Sequence, residues 1–361
     1  MRVGLIGCGR FGQFCLRAYS ALRDVEIVAI ADVDRNLLHK VASQFQVTPV
    51  ENVEDIFKYA EIELLHVATP PYQHFDLVYK ALQAGKHVIC EKPLTIEMSQ
   101  ARQLIELART HQRVLVVNFI LRYNPLVDQV KQIIDRQFLG EPLHAYFENY
   151  ASDESLEPQH WFWDKNKSGG IFVEHGVHFF DLYEYWFGNG KVLSAHAEKR
   201  PGSGLEDRVT CLLRYDSGVV AHHYHGFDQP SCLDRATHGI LFERGDLSIY
   251  GWIPLELHGQ VLVNDQILDQ LKSLFPTAEI TELERFNSRT FRGRGKRIEG
   301  SQLITFHYKL TKPKEEMYLE CIKDLIQDQM TFIKNPEHKR KVTEKEGLQA
   351  LTYAVTATRQ S

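Results

Sequence analysis

The sequence predicts an α/β fold joined to an α+β part. Residues 1–120 form a doubly wound parallel sheet, and residues 121–361 a large open, mostly antiparallel sheet with helices on one face. Three observations predict this. Short apolar runs alternate with helical periodicity through residue 118, the order of βαβ units. The first run ends in a glycine-rich turn, Gly7-Cys8-Gly9-Arg10-Phe11-Gly12. Beyond a helical stretch at 125–136, apolar and polar residues alternate between turn residues, the mark of antiparallel strands.

The totals bound the function. A chain of 361 residues is long for one core, so two domains are the default. With 43% hydrophobic and 25% charged residues the composition is that of an ordinary globular protein. A net charge of -5 gives no general attraction to nucleic acid or to an anionic membrane, and neither is expected as a partner. Six scattered cysteines without C-x-x-C spacing read as reduced thiols, which fits a cytoplasmic location. Met1 and Arg2 lead directly into the first apolar run, leaving no room for a signal peptide. No apolar run approaches the ~18 residues of a membrane span.

In chain order, residues 2–6 read as a strand, the glycine turn follows, and 11–22 reads as a helix. This is the Rossmann dinucleotide-binding pattern. Gly7 permits the tight bend, Gly9 lets the backbone approach a pyrophosphate, and Gly12 lets helix and strand pack closely. Arg10 and Phe11 share the turn and are expected at the cofactor. A second strand, 26–31, ends on Asp32, placed to meet the adenosine ribose hydroxyls. A carboxylate there repels a 2'-phosphate, so NAD(H) is favoured, while Arg35 close by keeps NADP(H) open. Helices at 36–45 and 53–59 flank a short strand near Thr48. The fourth strand, 63–68, runs into Thr69-Pro70-Pro71-Tyr72-Gln73-His74, a stiff loop suited to lining a nicotinamide pocket or serving only as a rigid turn. Helix 75–83 stops at Gly85. The next strand ends at Cys90 and is followed by Glu91-Lys92-Pro93; charged residues capping an apolar strand at the ligand-binding edge of such a sheet call for a reason. Helix 96–110 and strand 114–118 complete the first sheet.

The second half contains candidate strands at 143–150, 192–199, 208–215, 219–227, 239–242, 247–250 and 303–308. Residues 216–218 form a hairpin turn. Residues 171–187 have helical periodicity, which puts Glu174, His178 and Asp181 on one face. Three ionisable groups beside Trp161, Phe172 and Phe180 suit a polar cleft, or else a histidine satisfied by a carboxylate neighbour. Strand alternation sets His223 and His225 opposite His222, so no metal is expected there or elsewhere. Residues 259–300 read as an insertion ending in Arg285, Arg289, Arg292, Arg294, Lys296 and Arg297, a solvated basic loop or a contact for an anionic substrate tail. Apolar residues on both faces of 208–227 suggest a subunit interface. Helices at 315–333 and 343–358 close the chain.

Gly7-x-Gly9-x-x-Gly12, Thr69-Pro70-Pro71-x-x-His74 and Ala84-Gly85-Lys86-His87-Val88-x-x-Glu91-Lys92-Pro93 together resemble the glucose-fructose oxidoreductase/inositol dehydrogenase/MocA family. Asn118-x-x-x-Arg122-Tyr123-Asn124-Pro125 resembles that family's junction between domains. The resemblance implies an NAD(H)-dependent oxidoreductase that moves a hydride between nicotinamide and a secondary alcohol of a sugar, cyclitol or sugar derivative. It implies His178 as acid/base, Lys92 as the group polarising or relaying a proton at the same oxygen, and Glu174 as holder of a neighbouring hydroxyl or of Lys92. Thr69, Pro70, His74, Glu91 and Lys92 are expected at the cofactor, and Arg122, Tyr123, Trp161 and Asp181 at the substrate. Two residues depart from the family pattern: Ser168 stands where a glycine is usual, and Glu174 where an aspartate is usual. The resemblance also admits an inactive NAD- or sugar-binding regulator, or an NAD-dependent glycosidase. It implies a homodimer or homotetramer assembled through the second sheet.

Overall fold

The computed structural model describes all 361 residues, the side chain of Ser288 excepted. By contact the chain divides into two compact units that do not follow chain order. One comprises Met1–Tyr123, Gln159–Asp181 and Glu315–Thr358; the other comprises Asn124–Pro158, Leu182–Lys314 and Arg359–Ser361. Two segments from beyond residue 120 therefore pack with the first sheet.

The first unit holds six parallel strands: β1 (Arg2–Ile6), β2 (Glu26–Ala31), β3 (Thr48–Val50), β4 (Leu64–Val67), β5 (His87–Cys90) and β6 (Leu115–Val117). Their order is β3-β2-β1-β4-β5-β6, which reverses direction between β1 and β4. In such a sheet that switch point is where loops at the carboxyl ends open into a crevice. The connecting helices are α1 (Arg10–Ser20), α2 (Arg35–Phe45), α3 (Val53–Ile56), α4 (His74–Gln83) and α5 (Met98–Thr110). Helices on both faces explain why β4 is buried at every position. The closing helix Lys314–Lys334 sets Tyr318 against Phe14, ring centroids 4.8 Å apart. The last helix, Glu344–Gln360, brings Gly347 so close to β6 that an added Cβ would lie 2.5 Å from Val117.

The segment Ile171–Phe187 corrects the expected uniform α-helix. Phe172–Gly176 is a π-helical turn, and a regular helix runs only over Val177–Phe187. A π turn carries one extra residue per turn, so the side-chain spacing across 174–178 is wider than the α pattern implies.

The second unit is built on a nine-stranded sheet. Its strands are β7 (Pro142–Ser152), β8 (Gly190–Lys199), β9 (Glu206–Tyr215), β10 (Val220–Gln229), β11 (Arg235–Phe242), β12 (Gly245–Tyr250), β13 (Glu256–Val263), β14 (Glu279–Gly293) and β15 (Lys296–Lys309). The order is β14-β15-β13-β12-β11-β7-β10-β9-β8, antiparallel throughout except for the parallel pair β7/β10. Alternation along β10 buries His223 and His225 completely while His222 lies on the other face. The stretch 259–300 is not a loop. It contains the end of β13, the helix Asp265–Leu274, all of β14 and the start of β15. Strand β14 lies at the sheet edge and is largely exposed, so its sequence lacks the apolar alternation that reveals a half-buried strand.

Candidate functional site

The glycine turn is built as its residues require. Gly7 has φ +104°, and an added Cβ would come 2.4 Å from the Ala68 carbonyl oxygen. At Gly12 an added Cβ would meet the Gly7 carbonyl oxygen at 1.9 Å, which allows α1 to press on the turn. Gly9 differs, since a Cβ placed there would meet nothing within 4 Å beyond its own chain neighbours. That space is open to a ligand. Helix α1 starts without a side-chain cap and without an acid in its first turn, so its leading N–H groups are left for an anionic group. Asp32 is tied to the turn: Oδ2 accepts from the Cys8 amide at 2.6 Å and Oδ1 from the Asp34 amide at 2.8 Å.

A cleft of about 520 Å³ runs along these groups, lined by Gly7, Gly9, Asp32, Thr69 and Pro70 among the predicted residues. Val33, Tyr72, Gln73, Asp76 and Lys80 join them; of these, Tyr72 and Gln73 were readable as the continuation of the proline loop. The buried Thr69 hydroxyl has no hydrogen-bond partner in the protein. These features fit a dinucleotide: an open glycine for the pyrophosphate, a bare helix N-terminus, and a carboxylate for the ribose. Arg10 is exposed, and Phe11 lies 5.9 Å from the Tyr318 ring. Arg35 is 72% exposed and lies 3.4 Å from Glu51, which also pairs with His39. The structure places neither Arg10, Phe11 nor Arg35 on the cleft wall.

A second cluster forms after β5, in the same unit. Lys92 Nζ donates to Glu174 Oε1 at 2.5 Å and to the Glu174 main-chain carbonyl at 2.8 Å. The carbonyl belongs to the π turn, so the unusual helix and the lysine are held by one another. The side chains of Lys92 and Glu174 are 17% and 13% exposed, enough for a ligand to touch them. His178 is buried, and its pKa lies well below the ordinary imidazole value, through burial first and the positive charge of Lys92 second. Its ring stands edge-on to Phe119.

Most of the other predicted residues make polar contacts within the protein. His74 is fully buried, its two ring nitrogens lying 2.7 Å from the Pro93 carbonyl and 2.8 Å from the Thr69 carbonyl. It ties the two site loops together. Glu91 points inward, where its Oε1 accepts from Asn118 at 2.7 Å and lies 3.0 Å from His66 Nε2. His66 Nδ1 is 2.6 Å from the Tyr19 hydroxyl, so a line of polar groups crosses the core beneath Lys92. Sequence reasoning missed His66 and Tyr19 because each stands alone in an apolar pattern. Arg122 and Asp181 come together as partners, with Nη2 to Oδ1 at 2.8 Å and side chains only 7% and 1% exposed. Burial pushes Asp181 up to about 6 even with Arg122 opposing. Tyr123 donates to Asp328 at 2.6 Å. Trp161 is half-buried on a short turn beside His160.

A parallel sheet of this order, with an anion-binding glycine turn and a lysine–carboxylate pair beside a neutral histidine, defines a dinucleotide-binding oxidoreductase. Comparison with known proteins gives the family. Residues 1–119 match the oxidoreductase family with an NAD-binding Rossmann fold, and residues 127–247 match the GFO/IDH/MocA C-terminal domain. The chain belongs to this family and is an NAD(P)-dependent dehydrogenase or reductase. It is 29% identical over 241 residues to an inositol 2-dehydrogenase of Rhizobium meliloti, covering 63% of this chain and 71% of that one. It is 30% identical over 262 residues to an uncharacterized oxidoreductase of Escherichia coli, YdgJ, covering 71% and 73%. A solved structure of a putative myo-inositol dehydrogenase from Sinorhizobium meliloti matches with a TM-score of 0.73 at 21% identity, covering 100% and 97% of the two chains. None of the helices is long and apolar enough to cross a membrane among the described residues.

Proposed function

We propose that the chain transfers a hydride between nicotinamide and a secondary alcohol carbon of a cyclitol, sugar or sugar derivative, with NAD(H) preferred. The observation that carries this reading is the Lys92–Glu174 pair set next to a histidine kept neutral. The cofactor supplies the hydride chemistry when bound. The protein has to place the alcohol and manage its proton. A neutral His178 can accept the hydroxyl proton during oxidation and return it during reduction. Lys92, held by Glu174, presents a fixed cation to the oxygen as negative charge develops there. The name of the Rhizobium relative supports a cyclitol-like substrate. Asp32 at the ribose end supports NAD(H), because its carboxylate repels a 2'-phosphate, and Arg35 is paired with Glu51. Arg122 and Asp181, buried against each other, fit a positioning role behind the π turn better than direct contact with substrate.

The experiment is an assay of the purified chain with NAD⁺ or NADP⁺ against a panel of inositols, free sugars, nucleotide sugars and aryl glycosides. Net NADH formation with a polyol, faster than net NADPH formation, is the expected outcome. Glycoside release without net NADH would replace the reading with a glycosidase, and saturable NAD⁺ binding without turnover of any substrate would replace it with a regulator.

A further inference from the structure

An exposed face of the second sheet holds a group of donors outside the residues assigned to the redox site. We propose that Glu256, His258 and His307 form a binding site for a divalent transition-metal ion of the zinc, nickel or copper class. Glu256 and His258 are two residues apart on β13 and so share a face. On β15, His307 stands directly opposite His258 in the antiparallel register. The consequence is convergence. His258 Nε2 lies 2.9 Å and His307 Nε2 3.0 Å from the same oxygen, Glu256 Oε1. The two rings have centroids 4.4 Å apart, and the three donor atoms all lie within 4.8 Å of one another.

Two imidazole nitrogens and one carboxylate oxygen are a donor set for zinc-like ions, with water completing the shell. Hard ions such as calcium and magnesium prefer oxygen alone, and this set disfavours them. Without a metal, the two Nε2 atoms crowd one carboxylate oxygen; an ion among them is held by both nitrogens and the carboxylate. The surroundings suit this. Glu279 Oε2 lies 3.9 Å from His307 Nδ1, which favours a proton on Nδ1 and leaves Nε2 free to ligate. Lys309 approaches the other oxygen of Glu256, Oε2, at 3.6 Å, and its side chain is 64% exposed, so it can swing aside. The group borders a hollow of about 420 Å³, and the rings of His258 and His307 are 49% and 37% exposed, so an ion can reach them.

A comparator exists within the same sheet. His196 and Glu198 on β8 repeat the same two-residue spacing with a 2.9 Å contact, without a ring bonded to that carboxylate from the opposite strand. Equilibrium dialysis of the full chain against Zn²⁺, with metal and protein quantified, tests the site. About one ion per chain is expected, with affinity lowered at least ~10-fold in H258A, in H307A and in E256Q, since losing a direct ligand costs no less than losing an outer-shell partner. H196A should bind as the parent does. Circular dichroism on each variant checks that the sheet is intact. Absence of saturable binding, or binding that persists in the folded H258A/H307A double variant, would overturn the proposal.

Discussion

His178 in the first unit and His223, His225 and His238 in the second are all buried histidines whose pKa values lie below the ordinary range. They differ in what faces them. His178 feels a lysine that is itself fixed by a carboxylate. The other three lie among aromatic rings: Phe147 is 4.7 Å from His238, and Tyr183 is 4.5 Å from His223. Burial makes a neutral imidazole in both places. A neighbouring fixed cation, at the partly open end of a sheet, is what turns neutrality into proton transfer; aromatic surroundings turn it into packing.

The Arg122–Asp181 pair sharpens this comparison, because it is charged like the site and buried like the trio. Arg122→Met should leave Asp181 without its cation in the interior and lower stability by about 3–5 kcal/mol, read from urea unfolding at neutral pH. A change below ~1 kcal/mol would remove the positioning role.

The trio gives a smaller effect, seen through pH. His225 and His238 have folded-state pKa values of about 3, lowered by burial first. A lowered value means that the stability is present above the unfolded pKa of ~6.5 and is lost as pH falls towards the folded value. At pH 5 the loss is roughly 2 kcal/mol per histidine. His238→Leu should therefore unfold with a shallower dependence on pH between 7 and 5 than the parent chain, by about that amount. Parallel slopes would mean that His238 is not buried as a neutral ring.

What was legible in the sequence follows from the range of each interaction. The glycine turn, the strand ending on Asp32 and the Glu91-Lys92-Pro93 edge are local patterns, and the first sheet formed as they indicate. Strand β14 was hidden because an exposed edge strand has no face to keep apolar. The π turn was hidden because one extra residue per turn leaves no mark on composition. Charged side chains were visible, but not their partners: Arg122 and Asp181 are 59 residues apart in the chain, and no local spacing records that they pair. His258 and His307 meet only through strand register, which no local spacing records.

The comparison rests on His178 and Lys92 acting in chemistry rather than in packing, and one measurement separates the two. Turnover at saturating cofactor and melting temperature are read together for His178→Asn and Lys92→Met, on an alcohol that the parent chain oxidises. Turnover should fall by ~10²-fold or more in each while the melting temperature stays near that of the parent. A folded His178→Asn chain with full turnover would contradict the assignment.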